Sequence, residues 1–218
     1  MPDGALLDND VALKIACYSL TSEMLEAPMS GNGGLGMLGV GRFVVRGRLD
    51  RATNVTDVAR ARASLEHLLT AVALLEPDDE ELAIAAELER EARLRDFEMD
   101  VGESQLLAML TKRDLDVLIT GDKRAIAAMA VVAPRIAAER IACLEQLMVR
   151  ILEVGSTGHI RSCVCSEPRV DIAITACFAC AAGALDIDDI TAGLASYIGH
   201  LSMQAPGILV QKLGLGPD

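Results

Sequence analysis

The chain has 218 residues, 51% of them hydrophobic and 2% aromatic, and a formal net charge of −12. That apolar content excludes general disorder and supports a substantial core, which without tryptophan must be built of Ala, Leu, Ile, Val and Met. The acidic balance excludes a general nucleic-acid coat, because phosphate binding needs Lys and Arg, and so few rings exclude an extended base-stacking platform.

In chain order, residues 4–8 predict a short buried strand and residues 10–26 a helix ended by Pro28. Residues 30–41 are glycine-rich and predict a connector, and Phe43-Val44-Val45 predicts a second strand. A helix over 57–75 carries Val58, Leu65, Leu68, Leu69, Val72 and Leu75 on one side. Pro77-Asp78-Asp79 breaks it and opens the next helix, which runs to about Arg95 with early acids that suit the helix dipole. Residues 102–112 predict a helix, Val117-Leu118-Ile119-Thr120 a strand, and the following segment a helix stopped by Pro134. Alternating strands and helices indicate an α/β domain with a mostly parallel sheet over residues 1–133. Residues 134–218 predict a helical extension packed on that core, with helices over 135–154, 169–182 and 187–202 and a loop at 155–158.

The N-terminus, Met1-Pro2-Asp3-Gly4, lacks the basic stretch of a secretory signal, and no charge-free apolar run reaches the ~20 residues of a membrane span. The expectation is a cytoplasmic protein without a membrane segment, with Cys17, Cys143, Cys177 and Cys180 as reduced, buried thiols. Cys163-Val164-Cys165 with Cys177-Phe178-Ala179-Cys180 raises the question of zinc, but the first spacing is unusual and the second pair lies in an Ala-rich apolar helix. Gly34-Leu35-Gly36-Met37-Leu38-Gly39 matches GxGxxG, yet it follows Ser30-Gly31-Asn32-Gly33, loop composition where a dinucleotide fingerprint needs a strand. It predicts a connector. His67, His159 and His200 show no ligand spacing.

The chemistry is concentrated in three distant segments: Leu6-Leu7-Asp8-Asn9-Asp10, Asp100-Val101-Gly102-Glu103 and Leu118-Ile119-Thr120-Gly121-Asp122-Lys123-Arg124. Each acid has an ordinary structural explanation. Asp100 with Glu103 fits a capping box, Asp122 fits a helix cap, and Asp8 and Asp10 fit a turn and a first helical turn. Asp8 and Asp122, however, follow predicted strands, where α/β folds bind ligands. Carboxylates there suit Mg²⁺ or Mn²⁺ with a substrate phosphate completing the shell.

The order LLDNDV, DVGESQLLA, LITGDKRAI over roughly residues 4–132 resembles the PIN-like ribonucleases. That resemblance implies a three-layer α/β fold and metal-dependent endonucleolytic hydrolysis of RNA. It implies that Asp8, Glu103 and Asp122 ligate Mg²⁺ or Mn²⁺ and that Asp10 is an ancillary ligand or orients water. Lys123 and Arg124, at a helix start beside Asp122, are candidates to steer the substrate phosphate. The acid set is minimal, since residues 42–51 offer Arg42, Arg46, Arg48 and Arg51 with only Asp50, and Ala125, Ile126 and Ala127 are apolar where relatives often carry a fourth acid. Those arginines form a basic stretch that suits either a phosphate backbone or a solvated face.

Two alternatives stand beside this reading. One is a catalytically weak or inactive PIN-like module that binds RNA or a protein partner through the C-terminal helices; pairing with a second copy of the chain, as a homo-oligomer, is open under either reading. The other starts from Asp8-Asn9-Asp10-Val11, which resembles the nucleophile motif of haloacid-dehalogenase-type phosphatases, with Asp8 as nucleophile and Asp10 as acid/base. There Ile126 stands where a second late acid belongs, and Lys112 is the nearby lysine candidate.

Overall fold

The computed structural model describes residues 4–30, 33–181 and 186–213. The N-terminal Met1–Asp3, residues 31–32 of the glycine-rich segment and residue 182 at the end of the predicted 169–182 helix lie outside them. Five strands form one sheet: β1 (Ala5–Leu7), β2 (Leu35–Leu38), β3 (Ala73–Leu75), β4 (Val117–Thr120) and β5 (Ile141–Cys143). Their order is β3-β2-β1-β4-β5, and every pairing is parallel.

Period-two alternation puts Ala5, Leu7, Met37, Val117, Ile119 and Ala142 into one core, and Leu6, Leu38, Leu118, Ile141 and Cys143 into another. Both faces are therefore covered, which is why these strands read as unbroken apolar runs. The first core is closed by α1 (Asn9–Tyr18), α2 (Thr21–Glu26), α3 (Gly41–Asp50), α4 (Val58–Ala71), α9 (Leu144–Val154), α10 (Thr157–Ser166) and α11 (Ile172–Cys177). The second is closed mainly by α5 (Asp79–Leu94), α6 (Val101–Lys112), α7 (Lys123–Val132) and the short α8 (Pro134–Ala137). The last helix, α12 (Ile187–Gln204), contributes Ile190 and Leu194 to the first core and Leu201 to the second. Residues beyond it run along β5, with Ile141 N–H donating to Ile208 O (3.0 Å) and Val210 N–H to Ile141 O (2.8 Å). This covers a sheet edge that would otherwise present unpaired backbone groups. Among the described residues no helix is long and apolar enough to cross a membrane.

Several elements differ from the sequence expectation. The glycine-rich segment is not simply a connector, because Leu35–Leu38 is β2, between β1 and β3. A Cβ on Gly36 would meet Leu75 Cδ1 at 2.7 Å, so the glycine makes room for leucines packed over the sheet. Phe43–Val45 is not a strand but part of α3. The apolar period that counts is Gly41, Val45 and Leu49, all buried, while Phe43 is 60% exposed. The predicted 57–75 helix ends at Ala71, and Ala73–Leu75 pairs with β2. The predicted 135–154 helix is interrupted by β5, and the predicted 10–26 helix divides at Ser19, which takes a left-handed φ of 56°. For β3 and β5, pairing with distant strands overrides a local helical pattern. Gly155 and Ser156 remain outside helices, but Thr157 already starts α10.

The thiol expectation is corrected for one residue. Cys180 is bonded to Cys165, with their Cα atoms 5.1 Å apart, because α10 and the end of α11 pack together. Cys17, Cys143, Cys163 and Cys177 are free and buried. With two of its four thiols joined, the cysteine cluster offers no zinc tetrad. The bond closes a loop of sequence separation 15, for which chain-entropy arguments give about 3 kcal/mol. Urea unfolding of the Cys165→Ser, Cys180→Ser protein is expected to show a stability lower by about that amount, and excess dithiothreitol is expected to bring wild type to the same midpoint.

Candidate functional site

Strand order places the site. From β1 the chain proceeds to β2 and β3 on one side and later to β4 and β5 on the other, so the β1/β4 junction is where the winding reverses. In open parallel sheets the crevice beyond the strand ends at that point is the usual ligand site. Leu7 pairs with Ile119, which sets Asp8 beside Thr120. Thr120 is fully buried and links the two strand ends: its hydroxyl donates to Asp8 Oδ2 (3.2 Å) and accepts from Asp122 N–H (3.2 Å).

The capping explanations for the acids are real. Asp8 caps α1, accepting from Asn9 N–H at 2.7 Å. Asp122 caps α7 through Arg124 N–H (2.8 Å) and Ala125 N–H (3.3 Å). Asp100 and Glu103 form a reciprocal capping box at 2.8 and 2.9 Å. The same residues also line one cavity of about 570 Å³, together with Asn9, Asp10, Lys14, Arg48, Gly121, Lys123, Arg124 and Asp171. Helix starts and strand ends meet here, so caps and pocket walls are the same side chains.

The electrostatics are unbalanced. Six carboxylates face four cations in this cavity. Burial, reinforced by the charges of Asp10 and Asp100, pushes the Asp8 carboxyl up to about 6. Burial pushes Glu103 to about 8, with the carboxylates of Asp100, Asp8 and Asp122 adding to the effect. Neither makes an ion pair among the described residues. The remaining charges are largely satisfied. Lys14 bridges Asp10 (2.7 Å) and Asp171 (2.8 Å). Burial would lower its pKa, but those two carboxylates outweigh burial and raise it. Lys123 pairs with the buried Glu145 at 2.8 Å and lies over the Tyr197 ring at 4.8 Å. Arg124 pairs with Glu98 (2.8 Å) and Asp122 (3.4 Å).

All four sequence-predicted acids, with Lys123 and Arg124, therefore reach one cavity. Asp10 does so as the ion-pair partner of Lys14, its carboxylate packed against Gly121 where a Cβ would collide. Lys112, the lysine of the phosphatase alternative, pairs with Asp78 and Glu80 at 2.7 Å each and does not line the cavity. Ile126 is buried in the second core. Of the basic stretch, Arg46 pairs with Glu66 at 2.6 Å, Arg42 lies over the Phe43 ring at 4.6 Å, and Arg48 reaches the cavity. Sequence reasoning missed Lys14 and Asp171. Asp171 caps α11 through Ala173 and Ile174 N–H, a visible cap signal, but its arrival here depends on how α11 packs.

Among the described residues, no group of three or more His, Cys, Asp or Glu side chains is placed to hold a metal ion. The donor chemistry nevertheless suits a hard divalent cation. The candidate donors are carboxylate oxygens, and two of them belong to buried carboxyls without a cationic partner. Mg²⁺ in particular keeps several waters and needs only one or two carboxylates besides substrate oxygens.

Raised folded-state pKa values mean that the folded chain binds more protons than the unfolded chain. The associated stability is complete below about pH 4. It is lost as pH rises through about 6 for Asp8 and about 8 for Glu103. Without divalent cation, Asp8→Asn keeps an N-cap and removes the buried charge, so it is expected to raise stability at pH 8 by about 2 kcal/mol and to change little at pH 4. Urea midpoints at the two pH values measure this, and a variant less stable at pH 8 contradicts it.

Compared with known proteins, the chain matches no family model, no curated protein and no solved structure.

Proposed function

We propose that this chain is a metal-dependent endoribonuclease that hydrolyses phosphodiester bonds of single-stranded RNA with Mg²⁺ or Mn²⁺. The observation that carries the reading is the Asp8–Thr120–Asp122 linkage at the β1/β4 junction, with the buried Glu103 carboxyl in the same cavity. The resemblance of the three acidic segments to PIN-like ribonucleases supports it from the sequence side.

In this reading the cation would take one or two carboxylates at a time from Asp8, Glu103 and Asp122, with waters and substrate oxygens completing its shell. When bound, the ion polarises a phosphoryl oxygen and lowers the pKa of an attacking water. Thr120 fixes the Asp8 carboxylate through its hydroxyl, so that the ligand does not have to be reoriented when substrate arrives. Cation binding also requires Asp8 and Glu103 to lose their protons, so affinity rises with pH through the range 6 to 8. Asp10 is held by Lys14 and serves to orient water rather than to ligate.

A second reading, a weakly active or inactive binding module of the same architecture, is favoured by one observation. Lys123 and Arg124, the cations nearest Asp122 in sequence, are both paired with carboxylates. Cleavage separates the two. Wild type is expected to cut a fluorescently labelled single-stranded RNA with Mn²⁺ and not with EDTA, and Asp8→Asn and Asp122→Asn are each expected to lower the rate by at least about 100-fold. An absence of cleavage across varied RNA sequences, with Mn²⁺ still raising the thermal midpoint of wild type but not of Asp8→Asn, selects the binding module.

A further inference from the structure

Four cations line the carboxylate cavity, and three are neutralised within the protein: Lys14 by Asp10 and Asp171, Lys123 by Glu145, and Arg124 by Glu98 and Asp122. Arg48 is the exception. It makes no ion pair among the described residues, and its side chain is exposed. Two acids of α3 and α4, Asp50 and Glu66, are occupied by other arginines, Asp50 by Arg62 and Glu66 by Arg46. The backbone of Arg48 is not free to wander, because Val45 and Leu49 on either side of it in α3 are buried in the first core. The result is an unpaired guanidinium held by a rigid helix at the rim of an anionic cavity.

The cavity also continues past the carboxylates. A second hollow of about 360 Å³, lined by Ala92, Phe97 and Met99 among others, shares Asp100, Glu103, Asp122 and Arg124 with the first. Arg48 lines the first hollow and not the second. The shared carboxylates therefore stand between the two hollows, with Arg48 towards one end and a recess of mixed lining, Ala92, Phe97 and Met99 with Glu89, Arg93 and Glu98, towards the other.

We propose that Arg48 binds a phosphate flanking the scissile one, so that the groove selects an oligonucleotide strand over a mononucleotide. This rests on the nuclease reading above. The scissile phosphate belongs over the carboxylates with their cation. A guanidinium offers paired N–H donors in a planar fork that matches a second phosphate on the same strand. Lys123 and Arg124, the cations that adjacency in sequence suggests, would first have to break existing ion pairs to do this work.

Fluorescence anisotropy of the full chain with a fluorescein-labelled oligouridylate, in Ca²⁺ across a salt series, tests the assignment. Arg48→Ala is expected to weaken binding roughly five- to tenfold and to reduce the slope of log K against log salt by about 0.7, the value for one contact on a single strand. Arg48→Lys is expected to retain most of the slope. Arg135→Ala removes an equal charge from α8, outside both hollows, and controls for net charge. Arg48 makes no ion pair among the described residues, so unchanged thermal melting is expected for its variants. Wild-type binding and slope in Arg48→Ala overturn the assignment of Arg48 while RNA cleavage leaves the nuclease reading standing. A wild-type protein that neither binds nor cleaves the oligonucleotide overturns the nuclease reading, and the role of Arg48 with it.

Discussion

The parallel pairing of β1 with β4 is the constraint on which the remaining arrangement depends. Leu7 opposite Ile119 brings the ends of two strands, separated by more than a hundred residues of chain, to adjacent positions. Thr120 then hydrogen-bonds to both Asp8 and the backbone of Asp122. Because helices α1 and α7 begin immediately after those strands, their caps open into the same crevice. α6 presents Glu103 from its own first turn into that crevice, and α11 brings Asp171. Topology thus concentrates helix N-termini and acids at one place, and each N-terminal dipole lowers the cost of gathering negative charge there.

That concentration is still incomplete as a charge balance. The capping hydrogen bonds satisfy individual oxygens but supply no positive charge, and the ion pairs of Lys14, Lys123 and Arg124 leave the Asp8 and Glu103 carboxyls without a cation among the described residues. A protein optimised only for stability would replace Asp8 with Asn, which serves an N-cap nearly as well, and Glu103 with Gln, which serves the third position of a capping box. Unsatisfied charge at a topological switch point is the pattern expected where a ligand completes the electrostatics. The cap and site interpretations therefore do not compete. The same hydrogen bonds that cap the helices hold the acids in position.

Outside the site, the disulfide and the C-terminal segment perform comparable structural tasks. Cys165–Cys180 closes the loop that contains Asp171 and also Glu167, whose buried carboxylate accepts from Thr56 and Asp57 N–H at 2.6 and 2.7 Å. Asp171, whose carboxylate shares Lys14 with Asp10, is thus carried on a tethered loop. Residues 208–210 cover the β5 edge, so the final part of the chain completes the sheet as well as the helical layers.

Patterns confined to neighbouring residues were legible directly. The apolar runs of β1 and β4, the helix start at Pro77-Asp78-Asp79, the caps at Asp100 and Asp122 and the helix that follows each are local, since propensity and capping act over a few residues. The three acidic segments were recognisable for the same reason. β2, β3 and β5 were not, because a strand among glycines, or a three-residue piece at the end of or within a helical pattern, is stabilised only by partners far along the chain. Phe43–Val45 misled in the opposite sense, as β-favouring residues held in a helix by the burial of Gly41, Val45 and Leu49. Residue types and their local order were enough to nominate Asp8, Glu103 and Asp122. Their convergence, the ion pairs of Lys123 and Arg124, the arrival of Asp171 and the unpaired state of Arg48 arise from packing between distant elements, and such contacts leave no periodicity in a single sequence.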